Sequence, residues 1–291
     1  MSDAGSTAFD VWGCRGSRGA WGSRIGNHTS CYSLRVGEDL FVFDAGRGLA
    51  PLSRSLREGG KLHGVRRVCV LVTHAHLDHW EGLKDADWMW TRNNGVELTL
   101  CGPREALETI HRGHEPPSFV PLELLAKGTL ASMTEIELVA GSRTTMGAVT
   151  IETAAMHHYS GRRESPRHLE TLGYLVSCAD GPSVAYLSDH EPIPSTQAIE
   201  DSLVGRSQLA VIDASYPEIK DQKYGHGSQE YVAGVARRHP NTIVLAAHHG
   251  PTAADDEIEA VHQRHGAGVP NFAIAIEGRR FVWDTAARCF H

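Results

Sequence analysis

The run Thr73-His74-Ala75-His76-Leu77-Asp78-His79 packs three imidazoles and a carboxylate into six consecutive residues. It follows Val68-Cys69-Val70-Leu71-Val72, a short β-branched stretch that ends in an abrupt change to polar residues and so reads as a buried strand. His74 and His76 are two apart, so in extended backbone they face the same side. Asp78 and His79 fall where a helix could begin, Asp being a favoured residue at a helix N-terminus. Neutral imidazole and ionised carboxylate are preferred ligands of zinc and its neighbours, so the cluster suits one or two divalent ions. A histidine-rich surface loop is the plainer alternative in a chain with 18 histidines. A surface loop, however, has no reason to follow a buried strand with this alternation.

Three further strand ends carry ligand-type residues. His157 and His158 follow the alternating stretch 149–155, Asp189 follows 184–188, and His248 and His249 follow 243–247. A lone His or Asp at a strand end is ordinarily a cap or a surface residue. Recurrence in one local context changes that, because open α/β sheets gather ligands at one edge of their strands. A separate pair of segments, Asp213-Ala214-Ser215-Tyr216 and Gly225-His226-Gly227-Ser228, precedes an amphipathic helix whose natural N-cap is Ser228.

The elements needed to position these groups are legible. Strands are expected at 9–12, 32–36, 40–44, 68–72, 96–101, 149–155, 209–213 and 243–247, and helices at 49–58, 104–112, 229–238 and 255–265. Residues 172–177 and 184–187 pair plausibly as a hairpin around Asp180-Gly181, and 272–276 with 281–283 close the chain. Antiparallel runs come first and strands later alternate with helices, which implies a layered α/β fold. No linker-like stretch or repeat divides the 291 residues, so one domain over 1–291 is expected. A net charge of −7 argues against a uniformly basic nucleic-acid binder. Residues 1–13 lack a basic start and apolar core, and no apolar run reaches membrane-spanning length. The six cysteines are scattered without a C-x-x-C pair, which suits reduced thiols in a cytoplasmic protein.

The order His74-x-His76-x-Asp78-His79, then a strand-end His, a strand-end Asp and a last strand-end His, resembles the metallo-β-lactamase superfamily. The resemblance covers nearly the whole chain. It implies a four-layer αββα sandwich of two mixed β-sheets flanked by helices, with metals at one edge. Carried over, it places His74, His76 and His158 on a first metal, Asp78, His79 and His248 on a second, and Asp189 between them. His158 is favoured over His157 as the last residue before the loop, where similar family sequences place the ligand. His248 is favoured over His249 because it follows its strand most directly. Asp44, in Phe43-Asp44-Ala45-Gly46, resembles the family's structural Asp beneath the site. The Gly225–Ser228 piece, together with Gly13-Cys14-Arg15-Gly16-Ser17 and Gly26–Cys31, resembles the branch of ribonuclease Z and cyclic-phosphate phosphodiesterases. There a His-Ser/Thr pair stands at the position of His226, and the His is thought to assist the leaving group. A capping-loop histidine is the alternative for His226.

The resemblance implies a dinuclear metal-dependent hydrolase acting on a small phosphodiester, cyclic nucleotide or RNA-like substrate through a metal-bridging hydroxide. Asp78 would orient the nucleophile, and His226 would donate to the departing oxygen. Two divalent ions are implied, Zn ahead of Mn or Fe. RNA is less favoured than a small diester, because no Gly/Lys-rich arm for tRNA is visible; no membrane partner is expected, and a homo-oligomer is. The rival readings are hydrolysis of a lactone, thioester or β-lactam, and a non-catalytic metal-binding module. Arg15, Arg18, Arg24, Arg162, Arg163 and Arg167 could bind phosphate or carboxylate, or simply be solvated. Trp88-Met89-Trp90 reads as core packing of a helix, with a cleft or subunit contact as the alternative.

Overall fold

The computed structural model describes residues 7–58, 63–90, 95–122, 132–162 and 164–291. Strands β1 (Ala8–Gly13), β2 (Cys31–Val36) and β3 (Asp39–Phe43) form an antiparallel run. Helix α1 (Leu49–Arg57) returns the chain to β4 (Arg67–Leu71), parallel to β3. After α2 (Asp87–Trp90), β5 (Glu97–Gly102) continues the parallel set, as does β6 (Ser132–Glu137) beyond α3 (Arg104–Gly113).

The second half opens with antiparallel β7 (Arg143–Met146) and β8 (Val149–Ala155), followed by a two-stranded hairpin of β9 (Tyr159–Arg162) and β10 (Ser165–His168). Then come β11 (Leu172–Cys178) and β12 (Ser183–Leu187), which pair antiparallel as expected. Helix α4 (Pro194–Gly205) leads to β13 (Leu209–Asp213), α5 (Gln229–Arg238) to β14 (Ile243–Ala247), and α6 (Asp255–Gly266) to β15 (Phe272–Ile274). Strands β16 (Arg280–Asp284) and β17 (Cys289–Phe290) close the chain. The first sheet runs β17-β16-β1-β2-β3-β4-β5-β6 and the second β15-β14-β13-β12-β11-β8-β7.

Alternation along the central strands builds the layers. Phe41, Phe43, Cys69 and Leu71 face the second sheet, while Leu40, Val42, Val68 and Val70 face a separate cluster with Leu49, Leu52, Leu107 and Ile110 of α1 and α3. Buried on both faces, β3 and β4 therefore read as continuous apolar runs. The second sheet carries α4 and α5 on its far side, where Leu203, Val204, Val232 and Val235 are buried. This is the four-layer αββα sandwich. Across the inter-sheet core, Tyr186 contacts Tyr32 and Phe43 at ring-centroid distances of 5.4 and 5.3 Å.

Strands β6, β7, β9, β10 and β17 lie outside the expected set, with a β9–β10 hairpin where a loop is expected after His158, and three further features differ. Leu77–His79 form a single 3-10 turn rather than a helix start. Helix α4 was not anticipated, although Pro194 at its first position, with the Thr196 hydroxyl accepting from the Ile193 N–H at 3.2 Å, is a recognisable start. The closing strands separate, β15 joining the second sheet and β16 the first. No helix among the described residues is long and apolar enough to cross a membrane.

Candidate metal centre

The carboxyl ends of β3, β4, β8, β12, β13 and β14 emerge at one edge of the sandwich, because β3 and β4 run parallel and β8 is parallel to β12–β14 through its antiparallel neighbour β11. The residues just beyond these ends are Asp44, the 74–79 run, His158, Asp189 and His248, with Asp213 the last residue of β13. Three of them turn the chain with left-handed backbone: Asp44 (φ 57°), Asp189 (φ 50°) and His248 (φ 55°). Non-glycine residues rarely hold this conformation, and it clusters at functional sites.

The groups converge tightly. His74, His76, His158 and Asp189 offer ligand atoms all within 4.8 Å of one another, and so do Asp78, His79 and His248. Asp189 joins the two sets: Oδ2 lies 3.7 Å from Nε2 of both His74 and His158 and 3.3 Å from His79 Nε2, while Oδ1 lies 3.0 Å from His248 Nε2. Asp78 Oδ2 stands 3.4 Å from both His79 and His248 and accepts the backbone N–H of Ser17 at 2.7 Å. The amino-terminal loop thus reaches the site, and Gly16 is pressed so close to His248 that a Cβ there would lie 2.4 Å from its ring.

Outward hydrogen bonds fix the imidazoles. His79 Nδ1 donates to Asp44 Oδ2 at 2.7 Å and His158 Nδ1 to the Gly225 carbonyl at 2.8 Å. The Thr73 hydroxyl gives its one proton to Asp44, so its oxygen accepts from His74 Nδ1 at 3.0 Å. Ser215 Oγ likewise donates to Asp213 at 2.7 Å and accepts from His248 Nδ1 at 2.9 Å. Four rings therefore carry Nδ1–H outward and direct Nε2 inward, the arrangement that hydrogen-bond acceptors behind the ring impose on metal-binding histidines. His76 joins them with its Nδ1 3.1 Å from His158 Nε2.

Nε2 of His74 and of His79 is buried without a hydrogen-bond partner. Orphaned inward nitrogens beside two buried carboxylates are a donor set that suits divalent ions. Burial pushes His74 well below its ordinary range and takes His158 down to about 3, so these rings are neutral. Burial alone would raise Asp189, but His248 and His79 hold it well below the carboxylate range, and the same two rings do so for Asp78. Conversely, His248 is lifted to about 10 by Asp189 and Asp78 against the opposing effect of burial. A divalent cation would take the place of protons held this way.

The sequence marks the segment Asp213–Tyr216 but not the role of its carboxylate. Asp213 Oδ2 accepts from His226 Nδ1 at 2.7 Å, and its Oδ1 serves Ser215. This brings His226 to the cluster, with ring centroids 4.9 Å from His158 and 5.0 Å from His248. Burial opposes a charge on His226, but Asp213 outweighs it and raises the pKa. Ser228 caps α5, accepting from the Tyr231 N–H at 3.3 Å. The adjacent histidines point elsewhere: His157 packs by Tyr159 and His168, and His249 Nε2 lies 3.2 Å from the Ala275 carbonyl.

Three of the six arginines suspected of binding anions are engaged in ion pairs. Arg15 is fully buried on Asp255 at 2.8 Å, Arg24 pairs with Asp256 and Glu259, and Arg167 pairs with Glu105. Arg18 is exposed. Arg163 and the side chain of Arg162 lie outside the described residues. Trp88 and Met89 are buried in the core beneath α1 and α3, and Trp90 stacks on His114 at 6.2 Å.

No curated protein matches the sequence. Several solved structures share its fold at low identity. The metallo-beta-lactamase fold protein YhfI from Bacillus subtilis is 16% identical, with a TM-score of 0.68 over 96% of this chain and 99% of its own. Yeast PDE1 is 14% identical, with a TM-score of 0.67 over 94% and 99%. A diphosphatase from the PhnP family is 13% identical, with a TM-score of 0.65 over 98% and 100%. The family model described as the beta-lactamase superfamily domain matches residues 40–249, a span that encloses every imidazole and carboxylate of the cluster. By that match the chain belongs to the beta-lactamase superfamily, in its metallo-β-lactamase fold.

Proposed function

We propose that the protein is a dinuclear metal-dependent phosphodiesterase acting on small phosphodiesters. His74, His76 and His158 would hold one ion, Asp78, His79 and His248 the other, with Asp189 shared between them. When bound, such a pair of ions supplies Lewis acidity for phosphoryl oxygens and lowers the pKa of water. Zinc suits the His-rich donor set best, with manganese or iron as alternatives.

The observation that carries the reading is the clamp of His226 by Asp213. With Nδ1 committed at 2.7 Å, Nε2 remains to hydrogen-bond a substrate oxygen beside the cluster. Departure of an alkoxide from phosphorus develops charge on that oxygen, and a proton donor there offsets it. Acyl transfer to water in a lactone or β-lactam has less need of such a donor. A diphosphatase of the same fold supports phosphate chemistry on this scaffold. The buried thiols of Cys14, Cys31, Cys69 and Cys101 suit a reducing compartment, and a cytoplasmic protein is proposed on that basis.

The test pairs metal analysis of the purified protein with turnover of a phosphodiester, a lactone and a cephalosporin in added zinc, manganese or iron. Two ions per chain and preferential diester cleavage are expected. His76→Ala should lose metal and activity. His226→Ala should keep metal and lose activity, most severely on diesters with poor leaving groups. Faster turnover of the lactone or cephalosporin overturns the reading, as does a fully active His226→Ala.

A further inference from the structure

Beside His226 and His248 the surface opens into a cleft of about 490 Å³, one wall of which is formed by Tyr216, Lys223 and Tyr224. The ammonium of Lys223 stands 5.7 Å from the ring centroid of Tyr216 and 5.8 Å from that of Tyr224. No carboxylate pairs with it among the described residues, although the chain has 35 acidic groups against 28 basic ones. An ammonium held over two rings without a carboxylate partner is open to an anion, and the ring area it leaves uncovered is open to a planar group.

The loop bearing these side chains is fixed to the metal centre. Gly225 accepts from His158, and a Cβ at Gly225 would lie 2.8 Å from that ring. Tyr216 is bound on both sides of its peptide, its N–H to the Gly227 carbonyl at 3.1 Å and its carbonyl to the Gln229 N–H at 2.8 Å. Tyr224 holds φ at 56°, an unusual conformation for a bulky residue, and the turn leaves its ring half exposed on the cleft. A strained aromatic presented to solvent beside a metal centre adds nothing to the core, so the conformation points to a ligand.

We infer that the cleft formed by Tyr216, Lys223 and Tyr224 beside His226 is a nucleotide subsite, with a base stacked on the tyrosines and a phosphate reached by Lys223. This rests on the phosphodiesterase reading and narrows its substrate to nucleotide diesters. The volume lies within the range of small-ligand pockets and suits a single nucleotide rather than a folded RNA. Glu257 lines the same cleft and disfavours additional phosphates, which selects a monophosphate unit over a polyphosphate chain.

Calorimetric titration of the purified protein with thymidine 5′-monophosphate, phenyl phosphate, inorganic phosphate and thymidine tests the assignment. The nucleotide should bind at least about tenfold tighter than inorganic phosphate, since base stacking on an aromatic ring contributes about that much. Tyr224→Ala should remove most of this preference and leave phosphate affinity unchanged, whereas Tyr224→Phe should retain it. Lys223→Ala should weaken nucleotide and phosphate alike. Equal affinity for nucleotide and phosphate overturns the inference, as does an unchanged preference in Tyr224→Ala. Phenyl phosphate binding as tightly as the nucleotide overturns it in favour of an aryl phosphate site. Diester turnover measured in parallel separates the two readings: an inactive enzyme with an intact nucleotide preference sinks the phosphodiesterase reading and leaves the subsite standing.

Discussion

Asp213 grips His226 through a 2.7 Å bond to Nδ1, and its other oxygen holds Ser215, which in turn supports His248. One buried carboxylate at the end of β13 thus orients both the proposed proton donor and a proposed ligand.

Replacing it tests that coupling. Asp213→Asn keeps the size and removes the charge, so His226 loses the charge-assisted part of its anchor. Turnover of a methyl diester should fall by about a hundredfold, the lower part of what a positioned acid supplies. A p-nitrophenyl diester, whose leaving group needs no proton, should lose less. An equal loss on both substrates would point to disturbance of His248 instead, and metal content measured on the same sample would reveal it.

Gly16 is a steric requirement of the site. A Cβ there would lie 2.4 Å from the ring of His248, and no rotation of so small a group relieves the overlap. Gly16→Ala should displace His248 and weaken binding of the proposed ion it holds by about tenfold or more, with the far-ultraviolet dichroism unchanged. Full metal stoichiometry at unchanged affinity would show that His248 is free to yield.

Tyr186 ties the two sheets beneath the centre, its hydroxyl donating to Asp44 Oδ2 at 2.7 Å in a fully buried setting. Tyr186→Phe removes a hydrogen bond to a charged group, a loss of about 1.5–3 kcal/mol. The urea midpoint should drop while the slope of the transition stays constant. A shift too small to measure would mean that Thr73 and His79 satisfy Asp44 without it.

Acid sensitivity has a source away from the centre. Burial would raise Glu277, yet hydrogen bonds from His28 and from the Asn27 backbone outweigh it and hold the carboxyl below its ordinary range. A depressed folded pKa contributes stability that is complete above the unfolded value and is lost as pH falls through the folded one. Glu277→Gln should therefore be less stable than the parent near neutrality, with the gap closing below about pH 4.3. Urea midpoints of the metal-free proteins across pH 3–7 check this, and a gap independent of pH would contradict it.

Local chemistry accounts for what could be read in advance. The apolar run before His74 marks a strand buried on both faces, and alternation places His74 and His76 on one side whatever the rest of the chain does. Ser228 likewise announces α5 by the geometry of a helix N-terminus. Helix α4 lacks an equally clear apolar stripe, so Pro194 alone does not announce it. The closing segments 272–276 and 281–283 carried no mark of the sheets they join, because either sheet buries the same apolar pattern.

The sequence by itself determined that ligand-type residues stand at successive strand ends in the order of a known superfamily, since strand period and residue chemistry are local properties. Only the tertiary structure decided which member of each histidine pair turns inward. Left-handed backbone at His248 and the Gly225 carbonyl beside His158 make that choice, while His249 is drawn to Ala275 and His157 to Tyr159 and His168. The same holds for Asp213. Its bond to His226 closes a loop of 13 residues, so no local pattern encodes it. The packing of six strand ends at one edge creates both the candidate metal centre and the clamp beside it.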